Sequence, residues 1–194
     1  MSISLSKGQK ISLSKEEPGL KKIIVGLGWD TKEGDTGFDF DLDASCFMLN
    51  ENQKIPTDNH FIFYNNLKSP DESILHTGDN KTGDGDGDDE RIKVDLTKIA
   101  PQIKRVVFVV TIHEAITRKQ NFGQVENSFI RMVNEETGKE IAKFDLGEDY
   151  STETAMIMAE IYLHNGEWKL SAVGTGYNQG LDAIVKRYYD GEVN

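Results

Sequence analysis

The sequence predicts an all-β protein, mainly antiparallel, that folds as a β-sandwich. Most of its 194 residues fall into short runs that alternate apolar and polar side chains or are rich in β-branched residues. Glycine, asparagine and aspartate separate these runs, which is typical of strands joined by tight turns. About ten short strands need two sheets if each strand is to bury one face. We therefore expect a sandwich with long loops at one end.

The predicted elements follow one another along almost the whole chain. The single strands cover residues 3–5, 11–13, 22–28, 40–49, 61–64 and 105–112, and residues 92–94 are also strand-like. One hairpin covers residues 129–146 and turns at residues 136–139, and a second covers residues 156–173 and turns at Asn165-Gly166, a strong type I′ signal. Helix is expected only at residues 96–103, for one or two turns interrupted by Pro101, and at residues 181–189. The second helix has apolar residues at helical spacing and should cap the sheets.

Composition limits the classes of function. The chain has 33 acidic and 22 basic residues, a formal net charge of −11, which repels nucleic-acid phosphates and anionic lipid surfaces. The single cysteine, Cys46, excludes an internal disulfide framework, and residues 1–10 lack the charged and apolar regions of a signal peptide. No window approaches the roughly 18 apolar residues of a membrane span. We expect one cytoplasmic domain over residues 1–194, with no nucleic-acid partner and no direct membrane insertion.

Three aspartates alternate along one predicted strand. Asp39, Asp41 and Asp43 would point to one face, while Phe40 and Leu42 would point to the other. Two carboxylates about 5 Å apart repel by roughly 3 kcal/mol at an effective dielectric constant near 20. The pattern therefore predicts a bound cation.

A second acidic cluster alternates glycine with acid over residues 78–90. Glycine lets the backbone curl so that carbonyl and carboxylate oxygens converge on one centre. Hard oxygen donors in a flexible loop favour Ca²⁺, because Mg²⁺ demands tighter octahedral geometry and Zn²⁺ or copper would need histidine or cysteine. The loop is not an EF-hand, since Asp89 stands where glycine is required and Asp95 where glutamate is expected. The alternative is that both clusters are solvated acidic loops.

No motif indicates catalysis. The glycines at 174, 176 and 180 lack the second parallel strand of a dinucleotide-binding unit. His113-Glu114 opens like a zinc-protease motif, but Thr117 replaces the second histidine, so Glu114 is left as a candidate calcium ligand. Cys46 has no evident base beside it. We expect a protein that is not an enzyme; a metal-dependent phosphoester hydrolase and a passive calcium buffer stay as alternatives.

Six short motifs occur in a characteristic order. They are GLGWD (26–30), FDFDLD (38–43), FYNN (63–66), GDN (78–80), GDDE (87–90) and NFGQ (121–124). In these motifs the chain resembles the TerD family of bacterial tellurium-resistance and general stress proteins, over nearly its whole length. The resemblance implies a cytoplasmic β-sandwich that binds two calcium ions at one end.

The resemblance also implies a set of metal ligands. Carried over position by position, it supports Asp39, Asp41, Asp43, Asp79, Asn80, Asp88, Asp89 and Glu90. Asp84 and Asp86 occupy positions that the family pattern leaves open, and Gly83 and Gly85 are expected to supply carbonyl oxygens. The family often has aspartate where this chain has Glu114, which weakens the case for Glu114 as a ligand.

The chemistry of tellurite limits what resistance can mean for this chain. Tellurite is an oxyanion attacked by thiols, whereas the chain is strongly acidic and has one cysteine on an apolar strand. We therefore expect an indirect effect, in which calcium orders the end loops and the ordered surface docks a partner. The expected partners are other stress or tellurium-resistance proteins, including a membrane complex of the same system. The predicted function is a calcium-dependent binding or scaffold module in the stress response.

Overall fold

Two six-stranded sheets pack face to face in the computed structural model, which describes residues 2–31, 40–78, 87–145, 150 and 152–191. Sheet A contains, in spatial order, β1 (Ile3–Ser4), β10 (Glu140–Asp145), β9 (Val125–Asn134), β3 (Lys22–Thr31), β7 (Glu90–Asp95) and β6 (Ile74–His76). Sheet B contains β2 (Lys10–Ser12), β12 (Glu167–Tyr177), β11 (Ala155–His164), β8 (Arg105–Ile112), β4 (Leu42–Leu49) and β5 (Phe61–Ile62). Neighbouring strands are antiparallel except β1 and β10. The predicted β-sandwich is confirmed.

Helices are short and lie between or after the strands. The α-helices are α1 (Leu13–Glu16), α2 (Ala115–Arg118) and α3 (Leu181–Tyr188), and the 3-10 helices are Asp58–His60 and Phe122–Gln124. Among the described residues, no helix combines the length and apolar character that crossing a membrane requires.

Strand β4 shows how sheet B is buried on both faces. Its even-numbered residues from Leu42 to Met48 point into the core between the two sheets. Phe47 and Leu49 point to the outer face, where they pack with Ile184 and Tyr188 of α3. Successive side chains of β4 therefore contribute in turn to two apolar layers, the core between the sheets and the layer under α3. The predicted C-terminal helix is present and covers the outer face of sheet B.

Both predicted hairpins are confirmed. Between β11 and β12, Asn165 and Gly166 have φ angles of 53° and 78°, as a type I′ turn requires. Between β9 and β10, Gly138 has a φ of 70° and donates its N–H to the Asn134 carbonyl at 2.9 Å. Local turn chemistry therefore sets the register of these two hairpins.

The predicted helix at residues 96–103 is wrong, because these residues form turns. The Asp95 carboxylate accepts hydrogen bonds from the Thr97 backbone N–H at 3.0 Å and from the Thr97 hydroxyl at 2.6 Å. These bonds resemble those of an aspartate N-cap and support one turn, but Pro101 has no N–H to continue a helix and disfavours helical backbone at Ala100.

Some strand limits also differ from the prediction. Strand β4 begins at Leu42 rather than at residue 40, so Asp43 is in the strand and Asp41 precedes it. Strand β5 ends at Ile62, and Leu13 begins α1 instead of ending a strand. Strand β6 was not predicted, because three residues are too few for a periodic pattern to stand out.

Asp71 holds together the loop between β5 and β6. Its carboxylate accepts hydrogen bonds from the Ser69 hydroxyl (2.7 Å), the Ser73 hydroxyl (2.7 Å) and N–H (3.0 Å), and the Ala100 N–H (2.8 Å). Burial raises the pKa of Asp71, but these bonds outweigh burial, so its pKa lies below the ordinary value of 3.8. A group with a lowered folded-state pKa stabilises the fold above its unfolded pKa.

We therefore expect Asp71→Asn to lower the free energy of unfolding by about 1–2 kcal/mol at neutral pH. This deficit relative to the unchanged protein should shrink as the pH falls below 3.8, because Asp71 then takes up a proton in the unfolded chain before it does so in the native protein. Urea unfolding between pH 7 and pH 3 measures it. Asp145→Asn, at an exposed carboxylate paired with Lys143 at 2.7 Å, is the matched control and should cost little. A deficit at Asp71 that does not change with pH would contradict this account.

Candidate metal centre

Half of the predicted ligands can be placed in the structure. Asp41, Asp43, Asp88, Asp89 and Glu90 are described; Asp39, Asp79, Asn80, Gly83 and Gly85 lie outside the described residues, as do Asp84 and Asp86. Within the described part of the chain, no group of three or more His, Cys, Asp or Glu side chains could hold a metal ion. The described residues therefore show where two acidic segments lie, at residues 41–43 and 87–90, but they do not show a coordination sphere.

The two acidic segments meet at the start of β4 and β7. Strand β5 pairs only with Cys46 and Phe47, so within the described ranges the Ala44 end of β4 is an open edge. Side chains from sheet A occupy that edge: the Glu90 carboxylate accepts the Ala44 N–H, and Nε2 of His76 lies 3.0 Å from the Ala44 carbonyl oxygen. Asp43 and Glu90, about fifty residues apart in sequence, are therefore brought to the same end of the sandwich.

Glu90 is a buried carboxylate with compensating donors. The residue is 1% exposed, and its Oε2 lies 3.7 Å from Nε2 of His76. Burial alone would lower the pKa of His76, but the Glu90 carboxylate outweighs burial and raises it. The Gly78 N–H lies 3.2 Å from Nδ1, which must be unprotonated to accept that bond, so the Nε2 proton faces Ala44 and Glu90. Donors from both sheets therefore hold the Glu90 charge in place.

Asp41 and Asp43 lie next to the end of β8. The Asp41 carbonyl accepts the His113 N–H at 2.8 Å, which extends the pairing between β4 and β8 past Leu42. Oδ2 of Asp43 lies 3.7 Å from Nδ1 of His113. Asp43 is partly buried and pairs in register with Thr111, on the outer face of sheet B. The sequence pattern identified both aspartates, but it gave no signal for His113 or His76 as their neighbours.

Asp89 lies beside the end of β3. Its Oδ2 accepts the backbone N–H of Trp29 at 3.0 Å, and its own N–H donates to the Leu27 carbonyl at 2.8 Å. These two bonds fix the acidic segment 87–90 against Trp29, which is buried. The segment is therefore attached to sheet A before β7 begins.

Asp88 differs from the other candidates because arginines balance its charge. Its side chain is 3% exposed, its Oδ1 lies 2.6 Å from Nε of Arg131, and its Oδ2 lies 3.4 Å from Nε of Arg91. Gly26 is the cross-strand partner of both Arg131 and Arg91. A Cβ atom on Gly26 would lie 2.2 Å from the Asp88 Cγ. The missing side chain of Gly26 therefore makes the space in which Asp88 pairs with both arginines.

Comparison with known proteins places the chain in a family. Residues 1–188 match the family model for the TerD domain. Over 188 residues the chain is 55% identical to general stress protein 16U of Bacillus subtilis (strain 168), with 97% of each chain covered. It is also 55% identical over 188 residues to tellurium resistance protein TerD of Serratia marcescens, again with 97% of each chain covered.

The fold is also found in a solved structure. The crystal structure of a homologue of telluride resistance protein (TerD) from Streptomyces coelicolor A3(2) matches with a TM-score of 0.70 and 24% identity, covering 86% of this chain and 95% of that chain. The sandwich architecture, the family model and the two relatives agree. The chain belongs to the TerD family.

Proposed function

We propose that the end of the sandwich formed by the acidic segments binds calcium, and that the occupied loops form a binding or scaffold surface in a stress response. The observation that carries the proposal is the contact between Glu90 and Ala44, because it brings residues 41–44 next to residues 87–90. Oxygen donors from both segments suit a hard cation with a flexible coordination shell. The names of the two relatives, which refer to general stress and to tellurium resistance, support the wider role.

Charge supports a cation at this end of the molecule. Asp41 and Asp43 lie near the end of β8, and Asp89 lies near the end of β3. The chain carries a formal net charge of −11, so a bound divalent ion also relieves repulsion within the fold. Asp88 contributes least to the proposed donor set, because Arg131 and Arg91 already balance its charge.

Direct chemistry on tellurite is poorly supported. A thiolate would be the attacking group, and the sole cysteine, Cys46, is fully buried on β4. Burial raises the pKa of the Cys46 thiol, which disfavours the reactive form. We therefore propose an indirect role in resistance, through partners that are other stress or tellurium-resistance proteins, including a membrane complex.

Calorimetry tests the calcium proposal. Chelator-stripped protein should bind Ca²⁺ in preference to Mg²⁺, because a flexible oxygen-donor site does not impose octahedral geometry. Asp43→Asn should weaken calcium binding by about tenfold or more, since ligand charge sets calcium affinity. Asp190→Asn, at an exposed carboxylate paired with Lys54 at 2.6 Å, is the matched control and should bind as the unchanged protein does. Equal affinity in the two variants would remove Asp43 from the site.

The partner proposal has its own test. Pull-downs from stressed cells should recover a different set of proteins in calcium from that in chelator, because the ordered loops form the proposed surface. The same set under both conditions would contradict calcium-dependent docking while leaving calcium binding itself intact.

A further inference from the structure

A cavity of about 350 Å³ opens on the outer face of sheet B, between the end of β8, α2 and the start of α3. Asp43 and Ser45 of β4 line it together with Phe63, Tyr64 and Asp182. We propose that this cavity binds an organic cation that carries a primary ammonium group on an alkyl chain. The inference does not rest on calcium, although Asp43 is shared with the proposed calcium site.

The walls of the cavity are anionic. They include the carboxylates of Asp43, Glu114 and Asp182, and none of the described residues that line the cavity is lysine or arginine. Arg118 contacts the Glu114 carboxylate at 3.3 Å but is not one of the lining residues. His113 lies between two of the carboxylates, 3.7 Å from Asp43 and 4.0 Å from Glu114. A ligand in this cavity therefore meets net negative charge, which selects for cations.

One wall is a fixed aromatic surface. Phe47, in the apolar layer under α3, stacks on Phe61 with ring centroids 4.3 Å apart, and Phe61 stacks on Phe63 at 4.6 Å. Tyr64 meets Phe63 edge to face at 5.2 Å and is 41% exposed. The stack extends from the buried layer to the cavity and holds the outer rings in place. An aromatic face beside carboxylates is the usual arrangement for binding ammonium groups.

A buried hydroxyl indicates that the cavity receives a polar ligand. Ser45 is 2% exposed, and its Oγ has no hydrogen-bond partner among the described residues. Ser45 follows Asp43 by two residues on β4, so both side chains lie on the outer face that borders the cavity. An unpaired buried hydroxyl costs free energy, and an ammonium N–H at the floor of the cavity would supply the missing donor.

Two apolar residues of the lining, Ile116 and Leu181, give the surface that an alkyl chain would contact. Ile116, which is 76% exposed, and the partly buried Leu181 give apolar surface beside the carboxylates. A volume of about 350 Å³ is at the small end of the range for ligand cavities, which suits a small ligand such as a short alkylammonium ion. The ammonium group can come from a free diamine or from a lysine side chain of a partner protein, and the chemistry at the cavity is the same.

Titration of the full chain with n-butylammonium, followed by NMR, tests the proposal. With calcium chelated, butylammonium should bind at least about tenfold more tightly than n-butanol, which has the same chain without charge. Asp182→Asn and Tyr64→Leu should each weaken butylammonium binding by about three- to tenfold. Both residues are at the surface, so the variants should fold, and Asp190→Asn is the control for charge outside the cavity.

Two further probes distinguish the source of the ammonium group. Tighter binding of 1,5-diaminopentane than of Nα-acetyl-lysine methylamide would support a free diamine, and the reverse order would support a lysine side chain. Equal affinity for butylammonium and butanol, or binding that none of the cavity variants changes, would overturn the proposal. Because the titration is done in chelator, failure here leaves calcium binding untouched, and a failed calcium titration leaves this result standing.

Discussion

Replacing Gly26 with alanine is expected to lower the free energy of unfolding by about 3 kcal/mol. The new Cβ would lie 2.2 Å from Cγ and 2.3 Å from Oδ1 of Asp88, whose carboxylate is pinned between two arginines. Either β3 must shift within sheet A or Asp88 must leave Arg131 and Arg91. The first change disturbs strand pairing, and the second leaves a buried carboxylate without its partners. Urea denaturation at constant salt measures the loss.

A double-mutant cycle separates the steric clash between positions 26 and 88 from the effect that each substitution has by itself on the stability of its strand. In the Asp88→Ala background the carboxylate is gone, so adding Gly26→Ala should cost much less than it does alone. We expect a coupling free energy on the order of 2 kcal/mol between the two positions. An equal cost of Gly26→Ala in both backgrounds would mean that Asp88 is not what requires glycine at position 26.

Local sequence patterns predicted the fold well because the signals of a β-sandwich are local. The apolar β-branched run at 105–112, the strand patterns within 156–173 and the turn at Asn165-Gly166 each depend on residues close in sequence. The wrong helix at residues 96–103 also has a local cause, since Pro101 lacks an N–H and disfavours helical backbone at Ala100. The limits of β4 and β5 depend instead on how far a neighbouring strand extends, which is a tertiary property.

At the candidate metal centre, local sequence predicted less and the pairing of distant strands decided more. Composition and spacing identified the acidic segments, because clustered carboxylates need a counter-charge wherever the chain folds. They did not distinguish Asp88 from Asp89, which are adjacent in sequence but face two arginines and a backbone N–H respectively. That difference depends on the register that places Gly26 opposite both Arg131 and Arg91. Pairing between distant strands cannot be read from either segment alone.

Glu90→Gln is expected to remove most of the stabilisation that calcium gives. Ligand at a hundred times its dissociation constant adds about 2.7 kcal/mol to the unfolding free energy of a protein that binds it only when folded. Thermal unfolding of chelator-stripped protein, with and without Ca²⁺ at matched ionic strength, measures this increment. Glu90 is the buried carboxylate that joins the two acidic segments, and glutamine keeps its size while removing its charge. Glu135→Gln, at a partly exposed ion pair with Lys93 of 2.7 Å, is the control.

The structural role of Glu90 must be separated from its proposed role as a ligand. Without calcium, Glu90→Gln should cost about 1–3 kcal/mol, because the amide serves the Ala44 N–H and His76 less well than the carboxylate does. That cost appears in chelator and is unrelated to metal. The role as a ligand appears only in the calcium-dependent increment, which the unchanged protein and Glu135→Gln should both retain. If the variant is destabilised in chelator yet keeps the full calcium-dependent increment, Glu90 supports β4 and is not a calcium ligand. The calcium donors would then have to come from the aspartates of the two acidic segments.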